Sequence, residues 1–437
     1  MHIHILAIAG TMTAPLAVQL KNQGHSVTGS DQQKIYPPLS DIFSKNHLDL
    51  PNTFKIDKSI DLVIVGSGFK AFSQTQNEFE LIKKLKIPYI SATDYIAQNL
   101  AKKKSILVAG SYGKTTITSL LVWTFLKAGI DPSYMFGGEI INNITPLHFG
   151  NSDFSIIEAD ESINGLDTQA KFLSYPVKYL VLTGANWEHK DSYKTELDNL
   201  DAFKKLVAKI PKDGLLIYNP KGPNIDKLLP FCQSKIIPYD FGFNFSTNLI
   251  GKHNHENIVA AYTLCRSLGI SDIIIQQAIK NYLGVKRRLE LVSKINNTYF
   301  FDDFAQSPSR IISAIQAIKD YFPNHKIKVY FEPHASFLQH KSGIIGFKEA
   351  FNQASEVIIG KINFNHNTNK LTRTTARDFI NEIGNTCHYV PLDKDIVKHF
   401  SQSLKSGDVL IHFSSGGLDG LKNFTKIIKN YSFKIKN

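Results

Sequence analysis

Cysteine is nearly missing. Cys232, Cys265 and Cys387 are the only thiols in 437 residues. Three scattered cysteines build neither a disulfide framework nor a zinc-ligand spacing. Long apolar runs are missing too, since none reaches the roughly 18 residues that a membrane helix needs. Met1-His2-Ile3-His4 enters an apolar strand at once, without the basic, apolar and small-residue order of a secretory leader. These absences predict a cytoplasmic protein without membrane insertion. Repeats and low-complexity linkers are also lacking. Acidic residues are the minority, 38 Asp and Glu against 50 Lys and Arg, for a net charge of +12. The excess is spread over Lys102-Lys103-Lys104, Lys204-Lys205, Lys286-Arg287-Arg288 and a lysine-rich tail. It is not gathered beside a nucleic-acid motif, so no nucleic-acid partner is expected. A solvated basic surface and a field that steers anionic ligands into clefts both remain open. The 43% hydrophobic content suits a globular chain. Its length exceeds one ordinary core and predicts two or three domains.

The first hundred residues alternate strand and helix. "HIHILAIAG" reads as a strand that stops at Gly10. "TMTAPLAVQLKNQG" carries apolar residues at helical spacing and ends on Gly24. "HSVTGSD" is a second strand ending at Asp31, and "DLVIVGSG" a third that closes on Gly66 and Gly68. This is a Rossmann-like pattern, with ligands expected at the carboxyl ends of the strands. The dinucleotide fingerprint is missing: its three glycine positions read Ile8, Gly10 and Thr13. Some other nucleotide-linked ligand fits better.

Past the polar hinge at Lys102-Lys103-Lys104-Ser105, "SILVAG" is a parallel-type strand and "TTITSLLVWTFLKAG" a helix that stops at Gly129. Ile117, Leu120, Leu121 and Phe125 share one side of that helix. Between strand and helix lies the loop Gly110-Ser111-Tyr112-Gly113-Lys114-Thr115, followed by Thr116. Such a loop aims backbone N–H groups and a helix N-terminus at phosphate oxygens. Lys114 would reach the β- and γ-phosphates of ATP, and the Thr115 hydroxyl would ligate Mg²⁺. Counted from Gly110, the loop is one residue shorter than the usual phosphate-loop pattern. Replacing Lys114 by Ala is expected to stop turnover and leave the fold intact. Two later strand ends supply further metal candidates: "FSIIEAD" delivers Glu158, and "KYLVLTGAN" leads to His189. A hydroxyl with one or two such groups, plus waters, is what a magnesium ion bridging phosphates takes.

The last third alternates again. "KIKVYFEPH" is a strand, "GIIGFKEAFNQA" (343–354) a helix, and "EVIIGKI" and "DVLIHFSSGG" are strands. His334, Ser415 and Gly416 fall at strand ends, where α/β sheets present residues to ligands.

"GSYGKTT", "IEADES", "GKHNHEN", "KRRLE" and "DDFAQSP" stand in the order and spacing of the Mur ligases. The whole chain thus resembles these ATP-dependent amide ligases of peptidoglycan assembly. The resemblance implies an α/β protein of three domains. Residues 1–101 would form a Rossmann-like UDP-sugar-binding domain, 102–286 a P-loop ATPase-type central domain, and 287–437 a Rossmann-like domain that binds the incoming amine or peptide. Gly10, Thr11, Asp31 and Ser67 would then hold the UDP part. Asn254 and Asn257 match adenine-side asparagines, Arg288 a phosphate-holding arginine and Asp303 a ribose-binding aspartate. Lys114, Glu158 and His189 would be catalytic, with Thr115, Glu158 and His189 on magnesium. His334, Ser415 and Gly416 would face the acceptor.

The implied chemistry converts a carboxylate to an acyl phosphate, which an amine then attacks. "TGANWEHKDSY" and "IHFSSGGLDGL" are most similar to members that attach the murein tripeptide L-alanyl-γ-D-glutamyl-meso-diaminopimelate to UDP-N-acetylmuramate in recycling. Addition of free L-alanine is the alternative. Gln306 stands where the family pattern has a histidine, and Glu188 where it has an aspartate. "EPHAS" lacks the arginines that follow the histidine in alanine-adding relatives. The stretch between "YNPKGPN" and "GKHN" is short. A non-catalytic, ATP-binding regulatory relative is therefore the reading of another class.

Overall fold

The structure, a computed structural model, describes residues 1–31, 39–48, 55–187, 192–362, 373–415 and 418–436. Three sheets follow one another along the chain. The first contains β1 (His2–Leu6), β2 (Ser26–Ser30), β3 (Leu62–Val65) and β4 (Tyr89–Ser91), in the order β2-β1-β3-β4 and all parallel. The second contains β5 (Lys104–Ala109), β6 (Ser133–Met135), β7 (Leu147–His148), β8 (Phe154–Glu158), β9 (Tyr179–Leu182), β10 (Leu215–Tyr218) and β11 (Lys235–Pro238). Its order is β11-β10-β9-β5-β8-β6-β7, with only the β6–β7 edge antiparallel. The third contains β12 (Glu290–Ile295), β13 (Thr298–Asp303), β14 (Lys326–Glu332), β15 (Glu356–Ile359), β16 (Cys387–Tyr389) and β17 (Asp408–Ser414). It runs β12-β13-β17-β14-β15-β16, and only β12–β13 is antiparallel. The expected α/β architecture is thus present in each sheet.

Two compact units result. One holds residues 1–248 and 254–284, the other 249–253 and 285–437. In the first unit, residues 106–109 of β5 are apolar and fully buried, as in a central parallel strand covered on both faces. Leu107 and Ala109 pack with Ile157, Leu180 and Leu182 from the two neighbouring strands. The helix Lys114–Lys127 that follows β5 is buried on several sides, and Ser119 and Tyr282 share a buried 2.6 Å hydrogen bond across it. Gly129 then takes φ +74, as expected of a helix stop. The segment after β8 touches the first sheet and the turn after β3 within this unit. Asn164 Nδ2 donates to Ser91 Oγ at 3.0 Å. Gly165 lies so close to Ser67 that a Cβ there would stand 2.8 Å from Ser67 Cα.

The helix expected over 343–354 is much shorter. A 3-10 turn covers Lys341–Ile344, and the α-helix spans only Phe347–Ala350. Gly346 between them sits at φ +94, a left-handed conformation that ends one turn before the next begins. Apolar spacing across the segment is genuine, since Phe347 and Phe351 are buried, but it belongs to two short turns.

The core of the second unit centres on Phe331 of β14, which is fully buried against the rings of Phe347, Phe351 and Phe379. Phe331→Ala is expected to cost about 3–5 kcal/mol through lost burial and a residual cavity. A urea titration of the full chain checks this. A midpoint unchanged from wild type would contradict it.

Candidate active site

The phosphate-loop reading rests on where three strands end. β5 lies between β8 and β9, with Val108 paired to Glu158 and Ala109 to Leu182. The chain leaves β5 for β6 on one side and leaves β9 for β10 on the other. The carboxyl end of β5 is therefore a switch point, where an open α/β sheet leaves a crevice.

The loop at that end is built around two glycines, Gly110 at φ +119 and Gly113 at φ +76. Gly113 also has no room for a side chain, because a Cβ there would collide with Asn257 Oδ1. Helix Lys114–Lys127 begins immediately, with Gly113 as its N-cap. The first-turn amides of Lys114, Thr115 and Thr116 have no intrahelical carbonyl to bind, which suits an anion. Ser111 and Tyr112 brace the loop from behind. Ser111 Oγ accepts from Asn186 N at 2.7 Å, and the Tyr112 carbonyl accepts from Thr183 Oγ1 at 2.8 Å.

Lys114 Nζ donates to Gly110 O at 2.8 Å and to Glu161 Oε2 at 2.7 Å. Burial alone would lower the pKa of this lysine. The charges of Glu161, Asp160 and Glu158, with the Glu161 hydrogen bond, outweigh that and hold it above the ordinary value. Lys114 thus carries a fixed positive charge beside the loop. Burial would raise Asp160, yet Lys171, Lys114 and a hydrogen bond from Ser162 hold it well below the usual carboxylate range. Thr115 Oγ1 donates to Glu158 Oε1 at 2.8 Å, and Gly137 N donates to the other oxygen at 2.6 Å. Hydroxyl and carboxylate are therefore adjacent, as a hard cation requires. Among the described residues no group of three or more His, Cys, Asp or Glu is arranged to hold a metal. Magnesium commonly takes only one or two carboxylates and fills the rest with phosphate and water. His189 lies outside the described residues.

Other expected residues fall into three places. Asn254 and Asn257 are buried on helix Lys252–Ser267, 3.4 Å apart, with Asn257 against the loop. Gly10, Asp31 and Ser67 lie just past β1, β2 and β3, where Asp31 Oδ2 accepts from Ala9 N at 2.8 Å. Thr11 is exposed on the same turn. Arg288, Asp303 and His334 belong to the second unit. The Arg288 guanidinium lies over the Phe304 ring at 5.5 Å. Asp303 accepts from Leu289 N and Ala305 N at 2.6 and 2.7 Å. Burial raises its carboxyl despite the Arg288 charge. Ser415 is half-buried just past β17, and Gly416 lies outside the described residues.

No motif assigns a role to Asp302, Glu332 or His412. Gln306, a departure from the resembled pattern, has a defined task. Its Oε1 accepts from His334 N at 2.8 Å and Ala335 N at 3.3 Å, fixing the loop after β14. A histidine ring has one nitrogen lone pair in its plane and would serve two amides poorly.

The Lys114–Glu161 pair corrects the expectation that Lys114→Ala leaves the fold unaffected. Glu161 is 1% exposed. Removing its cation leaves a buried charge, at a cost on the order of 3–5 kcal/mol. Lys114→Ala should therefore lose both turnover and stability, and adding Glu161→Gln should recover stability but no turnover. Urea midpoints and ADP release of both variants read this out. A wild-type midpoint for Lys114→Ala would contradict it.

Comparison with known proteins matches these features to one family. A model described as the Mur ligase middle domain fits residues 108–242. The chain is 31% identical over 375 residues to a UDP-N-acetylmuramate–L-alanine ligase of Vesicomyosocius okutanii, covering 76% of each chain. Another ligase of that name, from Desulfitobacterium hafniense, is 26% identical over 96% of this chain and 98% of its own. The Escherichia coli UDP-N-acetylmuramate–L-alanyl-γ-D-glutamyl-meso-2,6-diaminoheptandioate ligase is 29% identical over 73% of this chain and 76% of its own. Among solved structures, the UDP-N-acetylmuramate–alanine ligase of Thermotoga maritima shares the fold with TM-score 0.79 at 21% identity, covering 99% of this chain and 100% of that one. A murein peptide ligase of Psychrobacter arcticus does so with TM-score 0.70 at 23% identity, covering 99% of each.

Proposed function

This chain belongs to the Mur ligase family, and from that premise we propose that it joins free L-alanine to the lactyl carboxylate of UDP-N-acetylmuramate. As a family member it is an ATP-dependent, ADP-forming amide ligase. One observation carries the choice of substrates: L-alanine ligases match the chain across 96% of its length. This reverses the expectation that the murein tripeptide is the acceptor.

The residues suit the reaction. A carboxylate is a poor electrophile, so ATP supplies a phosphoryl group that turns it into an acyl phosphate. Lys114, kept protonated by Glu161 and Asp160, would neutralise charge on the phosphates. Thr115 and Glu158, with His189, would hold the Mg²⁺ that accompanies ATP. Asn254 and Asn257 would line the adenine side, and Arg288 and Asp303 would serve the phosphates and ribose. Gly10, Thr11, Asp31 and Ser67 would receive the UDP portion. Their sheet is fastened to the second sheet through Asn164 and Gly165, only a few residues past Glu161.

A second reading keeps the tripeptide as acceptor. It is favoured by the Escherichia coli relative and by the lack, after His334, of the arginines that the family resemblance gives to alanine-adding members. A peptide with several carboxylates would also profit from the net charge of +12.

The two readings differ in kcat/KM for L-alanine and for L-alanyl-γ-D-glutamyl-meso-diaminopimelate, measured as ADP release at equal UDP-N-acetylmuramate and magnesium. Free L-alanine should be the better acceptor. A clear preference for the tripeptide would move the chain to the second reading. Turnover with neither would favour a non-catalytic relative.

A further inference from the structure

The third sheet carries a line of ionisable groups that phosphoryl transfer does not use. His412 on β17 is fully buried between two carboxylates. Its Nδ1 lies 2.7 Å from Asp302 Oδ1 on β13, and its Nε2 lies 3.2 Å from Glu332 Oε2 on β14. The register explains the meeting, since His412 pairs with Asp302 on one side and with Tyr330, two residues before Glu332, on the other. A neutral imidazole has one N–H, yet both nitrogens here face carboxylate oxygens. The ring is therefore an imidazolium. Burial would lower its pKa, and the bonds to Asp302 and Glu332 hold it above the ordinary value.

The neighbours close the network. Arg287 Nε contacts the second oxygen of Asp302 at 3.1 Å, and Tyr330 Oη donates to Glu332 Oε1 at 2.7 Å. Burial alone would raise Glu332, but His334, His412 and Tyr330 hold its carboxyl well below the usual range. Gly420, in the first turn of helix Leu418–Lys436, leaves space for that carboxylate, since a Cβ there would overlap it.

At the open end of this line stands His334. It is half-buried just past β14, and its Nε2 lies 3.6 Å from Glu332 Oε2. Gln306 holds its backbone in place. With Nε2 on the Glu332 side, the Nε2–H tautomer of His334 carries its lone pair on Nδ1, where it can accept a proton. A carboxylate that orients an imidazole and stabilises its protonated form is the arrangement of a general base.

We propose that His334 takes the proton from the acceptor's ammonium group, and that Asp302 and His412 are positioning residues that hold Glu332 behind it. The proposal rests on the amide-ligase reading. An amino acid arrives as R–NH3⁺ and has no lone pair with which to attack. His334 Nδ1 accepts one proton, and the N–H electron pair stays on the amine nitrogen. That pair forms the C–N bond at the carbonyl carbon of the acyl phosphate. The tetrahedral intermediate collapses, phosphate departs with the C–O electron pair, and the nitrogen releases its second proton to solvent. The new imidazolium on His334 is balanced by Glu332.

Hydroxylamine tests this, because it is neutral near pH 7 and attacks acyl phosphates without first losing a proton. The protein is assayed with ATP, magnesium and UDP-N-acetylmuramate, and with either L-alanine or hydroxylamine as nucleophile. His334→Gln should lower kcat/KM for L-alanine by about 100-fold or more, the scale of general-base catalysis. Hydroxamate formation by the same variant should stay near the wild-type rate, which also shows that the variant is folded and activates the carboxylate. Glu332→Gln should produce the same selective loss, smaller in size. Equal loss with both nucleophiles, or an unimpaired rate with L-alanine, overturns the proposal. A wild-type protein that forms no hydroxamate overturns the ligase reading itself, and the base with it.

Discussion

The contact between Lys114 Nζ and Glu161 sets the terms for the first unit. A lysine proposed to meet phosphate has to be charged, and it has to be held in place. Burial works against the first requirement, and the carboxylates of Glu161, Asp160 and Glu158 supply the counter-charge. All three come from one strand end, β8 and the residues after it. The same strand end binds Thr115 through Glu158, so both functional side chains at the helix start are anchored to the strand beside β5. Neighbouring parallel strands, a glycine loop and a helix N-terminus are thereby tied together at the carboxyl end of β5.

The third sheet solves a similar problem with the opposite sign. There a buried cation, His412, holds two carboxylates in place, and the half-buried His334 faces solvent at the end of the line. In both places a charged side chain is kept in register by a buried partner of opposite charge. Both sites lie at the carboxyl ends of central parallel strands, where the chain turns outward.

The glycine loop after β5 was legible because its signal is local. Gly110 to Thr115 are contiguous, the strand before them and the helix after them have distinct apolar periods, and Glu158 closes an obvious strand. Lys114's partner was less legible, since Glu161 stands 47 residues away and only the fold brings it to the lysine. The Asp302–His412–Glu332 line was not read at all. Its members are 110 and 80 residues apart, and their pairing depends on a strand order that skips along the chain. One trace existed in the sequence: a histidine inside the apolar run "DVLIHFS", where a buried polar group needs partners. The helix expected over 343–354 failed for a related reason. Apolar spacing can be met by two short turns, and Gly346 at φ +94 separates them. Gln306, read from sequence as a loss, proved to be a backbone clamp.

The proposed reaction activates the lactyl carboxylate of UDP-N-acetylmuramate by phosphorylation before the amine attacks. Substrate labelled with ¹⁸O in that carboxylate tests it most directly, with the phosphate released during turnover analysed by mass spectrometry. An acyl phosphate requires one carboxylate oxygen to leave with the phosphorus, so the account predicts one labelled oxygen in each phosphate released. Unlabelled phosphate accompanying amide formation would contradict it.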